Sequence, residues 1–151
     1  MATTVAFEDD ILKLIFNATP IVGIAEDATT TPATEYFVSL HSEDPLINPS
    51  PVQTSGEINY TAYARQAVTR DATGWEVSGG ICRPEETIEF PVVAGVTSPV
   101  QATHFGVGTL ITGAGKLLFA GKLEPALGIS NGAEPRIDNQ AIAARFESSW
   151  A

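Results

Sequence analysis

The sequence predicts a mainly β protein, an antiparallel β-sandwich of jelly-roll-like type with one short N-terminal helix. Three observations carry that expectation. Short runs rich in aromatic and β-branched residues recur at fairly regular spacing, Gly and Pro punctuate the intervals, and helical periodicity is confined to the first residues. With 151 residues, 44% hydrophobic and 17% charged, the chain reads as a single sandwich domain spanning 1–151. A chain of this length removes roughly 68–70% of its unfolded surface from water on folding, enough for a core without metal or disulfide support.

Phe7, Ile11, Leu14 and Ile15 recur at steps of four, three and one, which predicts a helix within residues 1–20 with these side chains on one face. Glu8, Asp9 and Asp10 fall in its first turns, where carboxylates suit the helix dipole, and Pro20 ends it. That face is expected either to cover its own sandwich or to dock on a neighbouring subunit. Next, Tyr36, Val38 and Leu40 alternate with Phe37, Ser39 and His41, the pattern of a strand buried on both faces or nearly so. Residues 44–58 carry Pro45, Pro49, Pro51 and Gly56 with few large apolar side chains, and read as a long surface loop.

Further strands are expected over Ala64 to Thr69, Gly74 to Ser78, Thr87 to Val93, Ala102 to Thr109, Lys116 to Leu123 and Ala141 to Glu147. The turn signals between them are Asp71 with Gly74, Gly79-Gly80, Gly95 with Pro99, Gly113 with Gly115, and Asn131-Gly132. Along 101–108 a period of two places Thr103, Phe105 and Val107 on one face and His104 and Gly106 on the other. The same period groups Ile142, Ala144 and Phe146.

Eighteen acidic against eight basic residues give a net charge of −10, the wrong sign for a partner of nucleic acid or of an anionic membrane. The imbalance is concentrated in residues 1–60, with nine acids and the single base Lys13. One cysteine, Cys82, allows neither an intrachain disulfide nor a cysteine-based zinc site. The N-terminus has no positive region ahead of its apolar stretch, which argues against a secretory signal, and no run approaches the roughly 18 to 20 apolar residues of a membrane span.

Motifs that would carry chemistry fail on spacing. A phosphate loop ending at Gly115-Lys116 needs Gly at 110 and Ser or Thr at 117, where Leu110 and Leu117 stand; a dinucleotide fingerprint from Gly106 needs Gly at 111, where Ile111 stands. Gly106, Gly108, Gly113 and Gly115 read instead as glycines of a hairpin turn. His41 and His104 could meet and recruit Glu43 or Asp44 to a metal, yet lone strand histidines are more often packed and hydrogen-bonded. Cys82 beside Arg83 reads as a half-buried thiol, and Glu85, Glu86 and Glu89 as a solvated face rather than a glycosidase pair. Asn17-Ala18-Thr19 and Asn59-Tyr60-Thr61 match a glycosylation pattern that means little without secretion. Trp75, Tyr60 and Tyr63 could stack on sugar rings, but core or rim packing is the stronger expectation. The residues therefore predict a non-enzymatic protein with no catalytic, metal or cofactor site.

Four strings occur in a fixed order: Tyr36-Phe37-Val38-Ser39-Leu40-His41-Ser42-Glu43-Asp44-Pro45, then Tyr63-Ala64-Arg65-Gln66-Ala67-Val68, then Thr103-His104-Phe105-Gly106-Val107-Gly108, then Gly115-Lys116-Leu117-Leu118-Phe119-Ala120-Gly121. Together they resemble a family of small tailed-bacteriophage proteins called tail-fibre-like. In that family a short helix precedes a strand that ends in an Asp-Pro turn, followed by a variable loop, a Tyr-Ala-Arg-Gln strand and a Thr-His-Phe-Gly strand. The resemblance covers about residues 5 to 135. The final stretch, Pro135 to Ala151 with Arg136, Arg145 and Trp150, looks unlike the family's ending.

The resemblance implies a structural protein of the virion, made in the bacterial host cytoplasm, with no catalytic residues to carry over. Such a subunit would sit on the tail or decorate the capsid, bind other virion proteins and form a homo-oligomer. Phe7, Ile11, Leu14, Tyr63, Arg65, Trp75 and Trp150 are the candidate contact residues, because aromatic side chains and Arg dominate buried interface energetics. The alternative is a carbohydrate-binding β-sandwich module that adheres to a host-surface glycan through Trp75 and the loop aromatics.

Overall fold

A computed structural model describes residues 5–21 and 33–145. The chain is mainly β, with antiparallel sheets and one helix, as the sequence predicts. Its elements are the helix α1 (Val5–Phe16) and the strands β1 (Glu35–His41), β2 (Gln66–Thr69), β3 (Trp75–Ser78), β4 (Ile81–Pro84), β5 (Ile88–Glu89), β6 (Val100–Gly108), β7 (Leu117–Ile129) and β8 (Arg136–Ile137). A four-stranded sheet in the order β2-β1-β6-β7 forms one layer; the ribbons β3-β4 and β5-β8, with α1, contribute to the other. One buried cluster joins the two, with Val38, Leu40, Phe105, Val107 and Ile129 from the sheet and Leu12, Phe16, Trp75, Cys82 and Ile137 from the cover. No helix among the described residues is long and apolar enough to cross a membrane.

The helix buries a different face from the one its apolar spacing suggests. Leu12 and Phe16 are its fully buried side chains, while Phe7 is exposed and Ile11, Leu14 and Ile15 are half-buried. Every position from Ile11 to Phe16 except Lys13 is apolar, so periodicity defines a wide arc and cannot select its centre. At 3.6 residues per turn Leu12 and Phe16 lie about 40° apart, with Phe7 and Leu14 on the opposite side. Aromatic packing makes the choice: the Phe16 ring lies 4.6 Å from Trp75, 5.3 Å from Phe119 and 5.7 Å, edge-on, from Tyr36.

Polar contacts fix the helix at both ends. Arg70, just after β2, donates to the Leu14 carbonyl at 2.6 Å and also to the Ile15 carbonyl, where the helix C-terminus carries partial negative charge. The same guanidinium stands over the Tyr36 ring, whose hydroxyl donates to the Ile15 carbonyl at 2.9 Å. Towards the N-terminal end, the Asp9 carboxylate accepts from the backbone N–H of Gly80 in the β3-β4 turn.

Several strand boundaries differ from expectation. The stretch 87–93 shortens to β5, and Phe90 and Val93 then bond singly to the carbonyls of Pro135 and Ala133. β4 and β8, which the sequence does not announce, are too short to show a period of two. β7 runs past Leu123 to Ile129 although it contains Pro125, because it is the edge of its sheet and Pro is tolerated there. Of the strand expected at 141–147, Ala144 makes a bridge to Cys82, and Phe146 and Glu147 lie outside the described residues. In β6 the face is correct for Phe105 and Val107, but a register shift between Ala102 and His104 also brings Ala102 into the core.

Phe16→Ala is expected to cost about 3–5 kcal/mol, because it removes a fully buried ring from among three other aromatics. Urea denaturation of the two proteins measures it; a loss within a few tenths of a kcal/mol would mean that α1 is not part of the core.

Candidate functional site

The strand β1 is buried on both faces, and the two faces are chemically opposite. Tyr36, Val38 and Leu40 face the apolar core, while Ser39 and His41 are equally buried but polar. Covering that second face is the long loop that leaves β1. It opens with a 3-10 turn, Pro45–Ile47, capped by the Asp44 carboxylate accepting from the Leu46 N–H at 2.9 Å. It returns beside the end of β1, where Ile58 N–H donates to the Leu40 carbonyl and Ser42 N–H to the Gly56 carbonyl.

Two buried polar side chains bind this loop to the hairpin between β6 and β7. Gln53 is completely buried; its amide nitrogen donates to the Leu110 carbonyl at 3.1 Å, and its amide oxygen accepts from the Leu110 N–H at 2.8 Å. Its backbone N–H donates to the Gly115 carbonyl at 3.0 Å. Arg65 forms a two-pronged contact with Glu57, Nε to Oε1 at 2.7 Å and Nη2 to Oε2 at 2.6 Å. The remaining guanidinium donors reach the carbonyls of Leu110 and Gly113, both at 2.8 Å. Tyr63 completes the chain, its hydroxyl accepting from the Leu40 N–H and donating to Glu57, each at 3.0 Å.

Electrostatics follow from this geometry. The Glu57 carboxylate holds the Arg65 guanidinium charged and raises its pKa further, against the opposing effect of burial. Burial raises the Tyr63 phenol well above its ordinary range, and the neighbouring Glu57 charge adds to the effect, so the hydroxyl stays protonated and keeps donating. Side-chain exposures of 3% for Arg65 and 13% for Glu57 place this pair in the class where loss of one partner strands a buried charge.

Gly106 and Gly108 belong to the same construction. They lie inside β6 rather than in a hairpin turn, which corrects the expectation from their spacing. A Cβ on Gly108 would stand 2.1 Å from the Gln53 side chain, and one on Gly106 2.7 Å from His41 Nε2. At Gly108 the loop's Gln53 leaves no room for a side chain; at Gly106 the crowding comes from within the sheet, from Ser39 and His41 of β1 and Leu117 of β7.

His41 and His104 are brought to facing positions on β1 and β6. His41 is completely buried, with Nδ1 2.8 Å from the Ser55 carbonyl and Nε2 2.8 Å from the Ser39 hydroxyl. A proton on Nδ1 satisfies the carbonyl and leaves Nε2 to accept from Ser39, so the neutral ring serves as a tie between strand and loop. Among the described residues, no group of three or more His, Cys, Asp or Glu is placed to hold a metal. Burial pushes the Cys82 thiol up to about 12, which keeps it in the unreactive protonated form. Glu85, Glu86 and Glu89 are exposed, and Glu89 faces Arg136 across β5 and β8.

The candidate contact residues separate into groups. Phe7, Ile11 and Leu14 line the side of α1 away from Leu12 and Phe16. Tyr63 and Arg65 are joined through Glu57 in the network above. Trp75 is fully buried against Phe16, and Tyr60 is buried edge-on against Tyr63, so these aromatics pack into the molecule rather than forming an exposed sugar platform. Trp150 lies outside the described residues. Sequence reading missed Gln53 and Glu57. The signal for Gln53 was present: glycines at alternate positions of one strand mark a face onto which another segment closes.

Residues 7–145 match the family model described as Podophage GP4 fiber I protein gp80. The chain belongs to that family. No curated protein matches the sequence. The fibre-family match takes in α1 from Phe7 onward, every strand from β1 to β8 and both loops of the buried network. It also runs past residue 135 to 145, so the family likeness includes part of the stretch expected to diverge.

His41 gives the network a pH dependence with a definite sign. Burial lowers its pKa below the ordinary 6.5, against the smaller raising effects of the Ser55 carbonyl and the Glu57 charge. The unfolded chain therefore takes up a proton that the folded chain refuses, and stability is intact above about pH 6.5 and lost as pH falls below it. In urea titrations from pH 8 to pH 5, His41→Gln is expected to flatten the acid side of the wild-type curve; parallel curves would show that His41 is not held neutral.

Proposed function

We propose that this chain is a non-catalytic structural subunit of a phage tail fibre, built into the virion through protein–protein contacts. The family match over residues 7–145 carries the reading. The chemistry of the buried side chains supports it. Gln53, Glu57, Arg65 and His41 are the kinds of residue a reaction would use, and each is engaged in holding one segment of this chain on another. A subunit that works by shape needs fixed loops and apolar contact surfaces rather than a reactive group.

Contact residues divide accordingly. The side of α1 carrying Phe7, Ile11 and Leu14 is one surface through which the subunit meets its neighbours, with i, i+4, i+7 spacing suited to a groove. Tyr63, Arg65 and Trp75 act from inside, by fixing the loops and the helix that make contact. Fibres repeat their subunits under symmetry, so we expect a homo-oligomer. A net charge of −10 keeps the free subunit soluble before assembly.

Immunogold electron microscopy of phage particles, with antibody raised against this chain, tests the reading. Gold on fibres at the tail is expected. Gold over the capsid would replace the fibre role with decoration of the head, and particles without label, intact or gently disrupted, would remove the chain from the virion.

A further inference from the structure

We infer that the loop 42–58, with the hairpin 109–116 bonded to it through Gln53, docks a partner protein that presents an apolar patch bordered by Lys or Arg. The inference rests on the virion reading above and names the surface and the partner chemistry. Leu46 and Ile47 are 55% and 77% exposed on the loop, and Leu110 and Ile111 are 50% and 58% exposed on the hairpin. Large aliphatic side chains held this far into water at two braced loops cost solvation energy in the free subunit and return it on docking.

The bracing is the second observation. Arg65 and Gln53 both bond the Leu110 backbone, so the residue whose side chain projects outward is held from inside by main-chain contacts to the loop network. On the loop side, Pro45 and the Asp44 cap fix the turn that presents Leu46 and Ile47, and Asn48 reaches across to Ser55. A buried ion pair is a costly way to stabilise a sheet that already has an apolar core. What it secures here is the backbone of Leu110 and the returning end of the loop before any partner arrives, which lowers the ordering cost of binding.

Charge selects the partner. The loop also bears an open groove of ≈ 310 Å³, whose lining includes Glu43, Asp44, Pro45, Ile47, Pro49 and Ser55. Its lining sets the Glu43 and Asp44 carboxylates beside Pro45, Ile47 and Pro49, the complement of a Lys or Arg side chain, whose cationic head and aliphatic stem need both. Residues 33–64 contain no Lys or Arg, and Lys116 is the base of the hairpin side. Two copies meeting loop to loop are disfavoured here, since each would bring the same carboxylates and no Lys or Arg between residues 33 and 64, so the expected homo-oligomer forms through another surface.

The test uses phage lacking the gene, complemented with wild-type or variant chains, with the amount of chain per purified particle read by quantitative immunoblot. Leu46→Ser with Ile47→Ser and Glu43→Lys probe the loop, and Leu110→Ser with Ile111→Ser the hairpin bonded to it, each checked for wild-type thermal unfolding. Val92→Ser with Val100→Ser removes exposed apolar surface elsewhere as a control. Each loop or hairpin variant is expected to lower incorporation about tenfold or more, the loss of one interface hot spot, while the control matches wild type. Folded loop and hairpin variants incorporated at wild-type levels would overturn this inference and leave the virion reading standing. Wild-type chain absent from complemented particles would overturn both.

Discussion

One ion pair, Glu57 with Arg65, decides how the second face of the main sheet is closed. An antiparallel sheet of this size can leave one face to water. This one instead carries Ser39 and His41 under a loop of its own chain, with Gln53 set against the backbone of β6. That arrangement requires every buried polar group to find a partner. Arg65 meets the requirement by joining three segments: the returning end of the loop through Glu57, and both sides of the β6-β7 hairpin through the carbonyls of Leu110 and Gly113. Tyr63 extends the same connection to β1. Gly108 is the steric counterpart of these bonds, since Gln53 could not lie so close over the strand with a side chain there, and Gly106 leaves the matching room for the buried His41 ring.

The two faces of the sheet thus divide the work. The apolar face, packed against α1 and the two ribbons, supplies the hydrophobic stabilisation that a fold of this length needs. The polar face fixes geometry. In a phage fibre family that division suits a structural role, because a protein that works through its surface must present that surface in one fixed form. Loops held by directional bonds do this better than loops held by apolar packing, whose energy depends weakly on angle.

Much of the fold was legible in the sequence because the elements that matter most carry long, regular patterns. β1 and β6 show clear alternation, and the Asp71-Gly74, Gly79-Gly80 and Asn131-Gly132 turns fall where turn chemistry places them. Legibility failed where the deciding contact was distant. The helix is apolar nearly all round, and only Trp75, some sixty residues away in sequence, selects Leu12 and Phe16 as its inner face. β4 and β8 are strands by virtue of their partners rather than their own composition. The candidate site was half legible: Tyr63 and Arg65 stood out as aromatic and Arg, but Glu57 and Gln53 looked like ordinary loop residues. Nothing local reveals that a glutamine in a Pro-rich loop will be completely buried.

Native-state hydrogen exchange on Arg65→Met tests the central claim, that one side chain ties the loop and the hairpin together. Removing one partner of a buried pair costs about 3–5 kcal/mol, which corresponds to an increase in exchange of roughly a hundredfold or more where opening depends on that pair. The account predicts that the Gln53 and Leu110 amides, on opposite sides of the junction, accelerate together while Val38 and Val107 in the sheet stay protected. Acceleration confined to one side of the junction, or loss of protection throughout the sheet, would contradict it.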